Sequence, residues 1–131
     1  MTALVDTCGW IEWLTDGELA DDFSPWLIHP EALVVPTAVQ FELYKWVKRE
    51  VGEPRALEVI AATESARVVT FDGAIALLAA DLALEHRLSF ADAIIYATAS
   101  FSESVLVTSD DHFEGLPDVI FLDKRGGHGD R

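Results

Sequence analysis

The feature that most restricts how this chain can fold is a repeated switch of hydrophobic period. Five short runs rich in β-branched residues are separated by longer segments whose apolar residues recur at three and four positions. The strand candidates are Ala3-Leu4-Val5, Leu33-Val34-Val35, Arg67-Val68-Val69-Thr70, Val105-Leu106-Val107 and Val119-Ile120-Phe121. After the first comes a helix carrying Trp10, Ile11, Trp13 and Leu14, then a second from Leu19 to Ile28 that His29-Pro30 stops. Pro36-Thr37 opens a third, with Thr37 and Gln40 at capping-box spacing and Val39, Leu43, Trp46 and Val47 as its core stripe. Gly52 ends that helix, and Pro54 starts another that reaches about Ala62. Asp72 is placed to cap a helix running to His86. Ser89 and Asp92 form a second capping-box pair ahead of Ala93-Ile94-Ile95-Tyr96-Ala97, which is apolar all round and so predicted to be buried. Strands alternating with helices predict an α/β sandwich around a central, mostly parallel sheet of about five strands. No repeat or linker interrupts the pattern, so residues 1–123 are read as one domain and the Gly-rich 124–131 as a disordered tail.

Composition narrows the function. With 131 residues, half of them apolar, the chain has the size of one domain with a substantial core. The single cysteine, Cys8, excludes a disulfide framework and a multi-cysteine zinc site, and points to a reducing, cytoplasmic setting. Asp6 interrupts the N-terminus early, so no signal peptide is expected, and no apolar run approaches the ~20 residues that a membrane span requires. Nine Lys and Arg against 23 Asp and Glu give a net charge of −14. Such a surface repels polyanions, which excludes a protein that grips nucleic acid by overall positive charge. A nucleic-acid substrate would need bound cations or a local basic strip, and a basic protein partner is the natural complement.

Ligands of open parallel sheets bind beyond the carboxyl ends of the strands. Asp6 directly follows the first strand, and Asp110 follows the fourth through Thr108-Ser109. Glu42 lies in the early turns of the helix after the second strand, and Asp92 in the first turn of its own helix. Each acid alone has an ordinary reading as a helix cap, a turn residue or a solvated side chain. Together they converge on one edge, where two like charges ~4 Å apart repel by roughly 4 kcal/mol at an effective dielectric near 20. Divalent cations relieve that repulsion, and oxygen donors suit Mg²⁺ and Mn²⁺. Metals held this way support phosphodiester hydrolysis.

Four segments carry a resemblance to a known family: Leu4-Val5-Asp6-Thr7 with Trp10-Ile11-Glu12; Pro36-Thr37-Ala38-Val39-Gln40-Phe41-Glu42-Leu43; Leu88-Ser89-Phe90-Ala91-Asp92-Ala93-Ile94-Ile95-Tyr96-Ala97-Thr98-Ala99; and Leu106-Val107-Thr108-Ser109-Asp110 with Phe113 and Gly115-Leu116-Pro117. The chain resembles PIN-domain endoribonucleases, most closely the VapC-type toxins of toxin–antitoxin pairs, over essentially its whole length to about Leu122. The resemblance implies a PIN-like three-layer α/β/α sandwich and Mg²⁺- or Mn²⁺-dependent cleavage of RNA. It also implies an acidic quartet of Asp6, Glu42, Asp92 and Asp110 as catalytic and metal residues, with Thr108 orienting it. A cognate antitoxin with a basic segment is implied as partner. Asp111 beside Asp110 leaves two carboxylates to choose between, and the motif favours Asp110.

Glu42, Lys45 and Arg49 share one helix edge, apart from the core stripe, so Lys45 and Arg49 are candidates for holding flanking phosphates. Phe41, Tyr44 and Lys48 face elsewhere, as a homodimer contact or as packing against a neighbouring helix. The tryptophans are read chiefly as core, Cys8 as a small packed residue, and His112 as close enough to Asp110 to touch substrate but without metal-ligand spacing. Two other functions compete. One is a phosphorylation-switched receiver-like signalling module using Asp72, Thr108 and Lys124; the other is a catalytically inactive PIN scaffold that binds RNA or protein.

Overall fold

A computed structural model describes residues 1–124; of the segment read as a tail, 124–131, all but Lys124 lies outside the described residues. The strands are β1 (Thr2–Val5), β2 (Leu33–Pro36), β3 (Arg67–Val69), β4 (Ser104–Thr108) and β5 (Val119–Phe121). The helices are α1 (Thr7–Leu14), α2 (Ala20–Leu27), α3 (Thr37–Glu50), α4 (Glu53–Thr63), α5 (Gly73–His86) and α6 (Phe90–Phe101), with 3₁₀ turns at Pro30–Ala32 and Asp111–Phe113. The five strands form one parallel sheet in the order β3-β2-β1-β4-β5. Thr2 pairs with Ser104 and Val5 with Val107 across β1 and β4, while Ala3 pairs with Leu33 across β1 and β2.

Successive strand residues point to opposite faces, yet Ala3, Leu4 and Val5, all of β2, and Leu106 to Thr108 are buried. Both faces of the sheet are therefore covered by helices, as a parallel sheet requires, giving the three-layer α/β/α sandwich. The main core joins Leu4, Val34 and Leu106 to Phe23, Val39, Leu43, Ile95 and Phe113. A smaller cluster of Ile75, Ala79, Ala93, Ile94 and Ala97 holds α5 to α6. The unbroken burial of Ala93 to Ala99 is the apolar-all-round helix expected from the sequence. Among the described residues no helix is long and apolar enough to cross a membrane.

Two local expectations are corrected. Thr37 does not cap α3, because β2 runs straight into the helix: Pro36 stands at the cap and Thr37 is already helical. The Thr37 hydroxyl instead accepts from the Phe71 backbone N–H, and the Gln40 amide donates to Thr63 and Glu64, tying α3 to its neighbours. At α6 only half of the predicted box forms. Ser89 accepts from the Asp92 backbone N–H, but the Asp92 carboxylate turns away toward His112.

Gly9 in α1 allows that helix to sit against the core. A Cβ there would lie 2.5 Å from Phe23 Cε1 and 2.6 Å from Val5 Cγ1, both on fully buried side chains. Gly9→Ala is expected to destabilise the fold by about 1–3 kcal/mol through overpacking, outweighing the ~1 kcal/mol gain in helix propensity. Urea denaturation measures the difference.

Candidate active site

The sheet order creates one topological switch point. From β1 the chain moves outward through β2 and β3, then returns to build β4 and β5 on the other side. Ligand crevices of open parallel sheets lie there, beyond the strand ends. Asp6 leaves the end of β1 and Asp110 follows β4, so both stand at the mouth of that crevice. A cleft of about 290 Å³ opens at this point, and Asp6, Glu42, Asp92 and Asp110 all line it. Lys45, Arg49 and Trp46 from α3 line it as well, as do Thr7 and Cys8 from the start of α1.

Each acid is held by identifiable contacts. Asp6 is 5% exposed and caps α1, its Oδ1 accepting the Thr7 backbone N–H at 2.7 Å. Its Oδ2 accepts the Thr108 hydroxyl at 3.0 Å, and that hydroxyl also accepts the Asp110 backbone N–H at 2.9 Å. Thr108 thus joins the ends of β1 and β4 through a single oxygen. The Thr7 hydroxyl donates to Glu42 Oε1, fixing the α3 carboxylate against α1. Asp110 caps the 3₁₀ turn Asp111–Phe113 by accepting the His112 backbone N–H at 2.9 Å. Asp111 is exposed and points into a different surface recess with Asp123 and Lys124, so Asp110 is the carboxylate at the cleft.

Burial, with added repulsion from Glu42 and Asp110, pushes the Asp6 carboxyl from its ordinary 3.8 up to about 6, against the hydrogen bonds from Thr7 and Thr108. The Cys8 thiol is raised by burial first and by Asp6 second. Cys8 is less enclosed than a core residue, since it lines the cleft 3.7 Å from Asp6 Oδ2. Trp46 departs in the same direction: Val39, Leu43 and Val47 are buried, whereas Trp46 is half-buried along the cleft wall.

His112 is the residue that sequence reasoning undervalued. Its Nδ1 lies 2.9 Å from Asp92 Oδ2 and 3.3 Å from Asp110 Oδ1. The hydrogen bond with Asp92 raises its pKa first, and the charge of Asp110 adds to this. Donor atoms of Asp92, Asp110 and His112 all lie within 4.8 Å of one another; Asp6 and Glu42 line the same cleft but do not belong to that group. The only sequence signal was the two-residue offset of His112 from Asp110, which becomes informative once the 3₁₀ turn folds it back.

The PIN-domain family profile matches residues 3–119. The chain belongs to the PIN-domain family. This PIN domain is similar in structure to a chain of a toxin–antitoxin complex from Klebsiella pneumoniae, at 25% identity and a TM-score of 0.80, covering 93% of this chain and 99% of that one. It is also similar to a chain of DNA-bound VapBC from Salmonella typhimurium, at 17% identity and a TM-score of 0.71, covering 94% and 98%. A third similar structure is VapC20 of Mycobacterium tuberculosis, described as a sarcin-ricin loop cleaving toxin. There the identity is 20%, the TM-score 0.67, and the coverage 86% of this chain and 92% of that one. No curated protein matches at a significant level. The sheet order disposes of the receiver-like alternative. In the flavodoxin-like order of such modules the third strand is central, whereas here β3 is an edge strand. Asp72 after it caps α5 by accepting the Ile75 backbone N–H, and Lys124 pairs with Glu12 at 3.1 Å.

Proposed function

We propose that this PIN domain is a Mg²⁺- or Mn²⁺-dependent endoribonuclease acting as the toxin of a type II toxin–antitoxin pair. The observation that carries the reading is the convergence of four carboxylates, from four separate segments, on one cleft that also holds two basic side chains. The donor set fits a hard divalent cation: it is made of carboxylate oxygens, and one member, Asp6, is buried at a strained protonation equilibrium that a cation would relieve. When bound, such a cation polarises the phosphodiester and lowers the pKa of water near it.

The chain's own groups then have distinct tasks. Asp6, Asp92 and Asp110 would hold the cation. Glu42, fixed by the Thr7 hydroxyl, is oriented to take a proton from the attacking water. Thr108 is a positioning residue that sets Asp6 and Asp110 at once. Lys45 and Arg49 receive the phosphates on either side of the scissile bond, offsetting locally the repulsion from a surface of charge −14. The same net charge suits an antitoxin with a basic segment. The similarity to chains crystallised in toxin–antitoxin complexes supports that partner. Phe41, 65% exposed beside Tyr44 and Lys48, is the face offered for a homodimer. The protein is assigned to the cytoplasm, where its RNA substrate would be found.

The test is cleavage of a mixed RNA substrate by purified protein with Mg²⁺ or Mn²⁺. The expected result is discrete fragments that disappear with EDTA and return with added metal; intact RNA under all conditions identifies an inactive scaffold. A second measurement isolates the basic strip. Among the described residues Arg49 pairs with exposed Glu50, a partner it can exchange for a phosphate. Arg49→Ala is expected to weaken binding of an uncleaved RNA by roughly 3–10-fold at low salt, and to flatten its salt dependence, with metal affinity unchanged. Unaltered RNA affinity removes Arg49 from the site.

A further inference from the structure

The acids that line the cleft are not equivalent in what surrounds them. Asp6 and Glu42 are flanked by hydroxyl donors, Thr108 and Thr7. Asp92 and Asp110 face an imidazole. We propose that His112 is a direct ligand of the metal, making one end of the site a mixed nitrogen–oxygen centre that prefers Mn²⁺ to Mg²⁺. The inference rests on the reading of this cleft as a metal site.

The geometry supports coordination. Donors around one first-row cation sit ~2.0–2.2 Å from it, and so about 3–4.4 Å from one another. Nδ1 of His112 is 2.9 Å from Asp92 and 3.3 Å from Asp110, and all three donors fall within 4.8 Å. A small shift of side chains that are already adjacent would seat an ion among them.

The imidazole is also held in place, although its side chain is 68% exposed. His112 is the middle residue of the 3₁₀ turn Asp111–Phe113, its backbone N–H is fixed to Asp110, and the next residue, Phe113, is fully buried. Phe113 packs 6.2 Å from the Tyr96 ring, and Tyr96 lies on α6, the helix that carries Asp92. Both carboxylates and the ring nitrogen are thus referred to one rigid frame. The imidazole is exposed while the carboxylates it meets are 16% and 29% exposed, so the ring turns from open solvent toward two acids of the cleft; a pair with one exposed partner contributes little to stability. Imidazole nitrogen is a good donor to first-row transition ions and a poor one to Mg²⁺, which keeps oxygen ligands and water. One nitrogen in the set therefore changes the choice of ion.

The test uses the full-length protein with Mn²⁺ alone and no RNA. Bound Mn²⁺ is counted by loss of the free-ion electron paramagnetic resonance signal, and pulsed measurements report coupling to a histidine nitrogen. Wild type is expected to show that coupling; His112→Ala and His112→Gln are expected to lack it. Mn²⁺ affinity should fall by at least about tenfold in both variants, since even outer-shell partners of metal sites contribute 10–100-fold. Mg²⁺ affinity, from competition, should change much less, so the preference for Mn²⁺ shrinks. Mn²⁺ bound by wild type without nitrogen coupling overturns the ligand role and leaves the metal site standing. Failure of wild type to bind Mn²⁺ at millimolar concentration overturns both. Because the ring is exposed, circular dichroism should show both variants folded.

Discussion

Asp92→Asn is expected to abolish RNA cleavage, lowering the rate by at least about 100-fold in Mg²⁺ or Mn²⁺. The figure is a floor: altering a residue that only supports a metal ligand already costs 10–100-fold, and Asp92 is proposed as a ligand itself. The exchange keeps size and shape but replaces one carboxylate oxygen with an amide nitrogen, which does not bind a hard cation. Asp92 is anchored by the Ser89 cap through its backbone, and that bond survives the change. The fold is therefore expected to melt near the wild-type temperature, so that lost cleavage reports chemistry and not unfolding. Equal cleavage by variant and wild type, in preparations made alike, would remove Asp92 from the reaction.

Asp6→Asn, unlike Asp92→Asn, should raise stability. The native carboxyl titrates at about 6 against an ordinary 3.8, chiefly because it is buried. Below the lower value both native and unfolded chains are protonated there, and the burial carries no charge penalty. As pH rises from 3.8 to about 6 the unfolded chain gives up its proton before the native one does, and native stability is lost. Above about 6 the loss is complete, at about 3 kcal/mol for a shift of roughly two units. Asparagine carries no charge at any pH. The metal-free variant should melt roughly 10 °C above wild type near pH 7.5 and close to it near pH 4. Added Mn²⁺ should raise the wild-type melting temperature at the higher pH and raise that of the variant less, since Asp92, Asp110 and His112 remain to bind it. A variant that melts below wild type near pH 7.5 would show that the Thr108 hydrogen bond outweighs the burial of charge.

The parts of this fold that were legible in the sequence are those governed by local pattern. The β-branched runs, the Asp72 and Ser89 caps and the wholly apolar stretch in α6 all declare themselves within a few residues. The strand-end rule then sends Asp6, Glu42 and Asp110 to one edge without any knowledge of strand order; Asp92, on a helix that follows another helix, is outside that rule and reaches the cleft through the packing of α6. What escaped depends on partners distant in the chain. Thr37 has the spacing of a cap, yet its hydroxyl serves Phe71, 34 residues away. Trp46 fits the core stripe by period, but a helix bordering a cleft leaves part of that stripe uncovered. His112 was read only as a neighbour of Asp110, because its importance is set by a turn that reverses the chain beside α6, which no periodicity describes.

The pairing of Thr2 with Ser104 and Val5 with Val107 has a temporal consequence. Asp110 reaches the mouth of the crevice only when β4 docks beside β1, about a hundred residues after β1 is synthesised. An emerging chain shorter than that holds at most three of the four acids, with Thr108 not yet there to steer Asp6. A half-built chain therefore lacks the complete set of acids, and the RNA cleavage proposed for this cleft should arrive in one step with completion of the sheet.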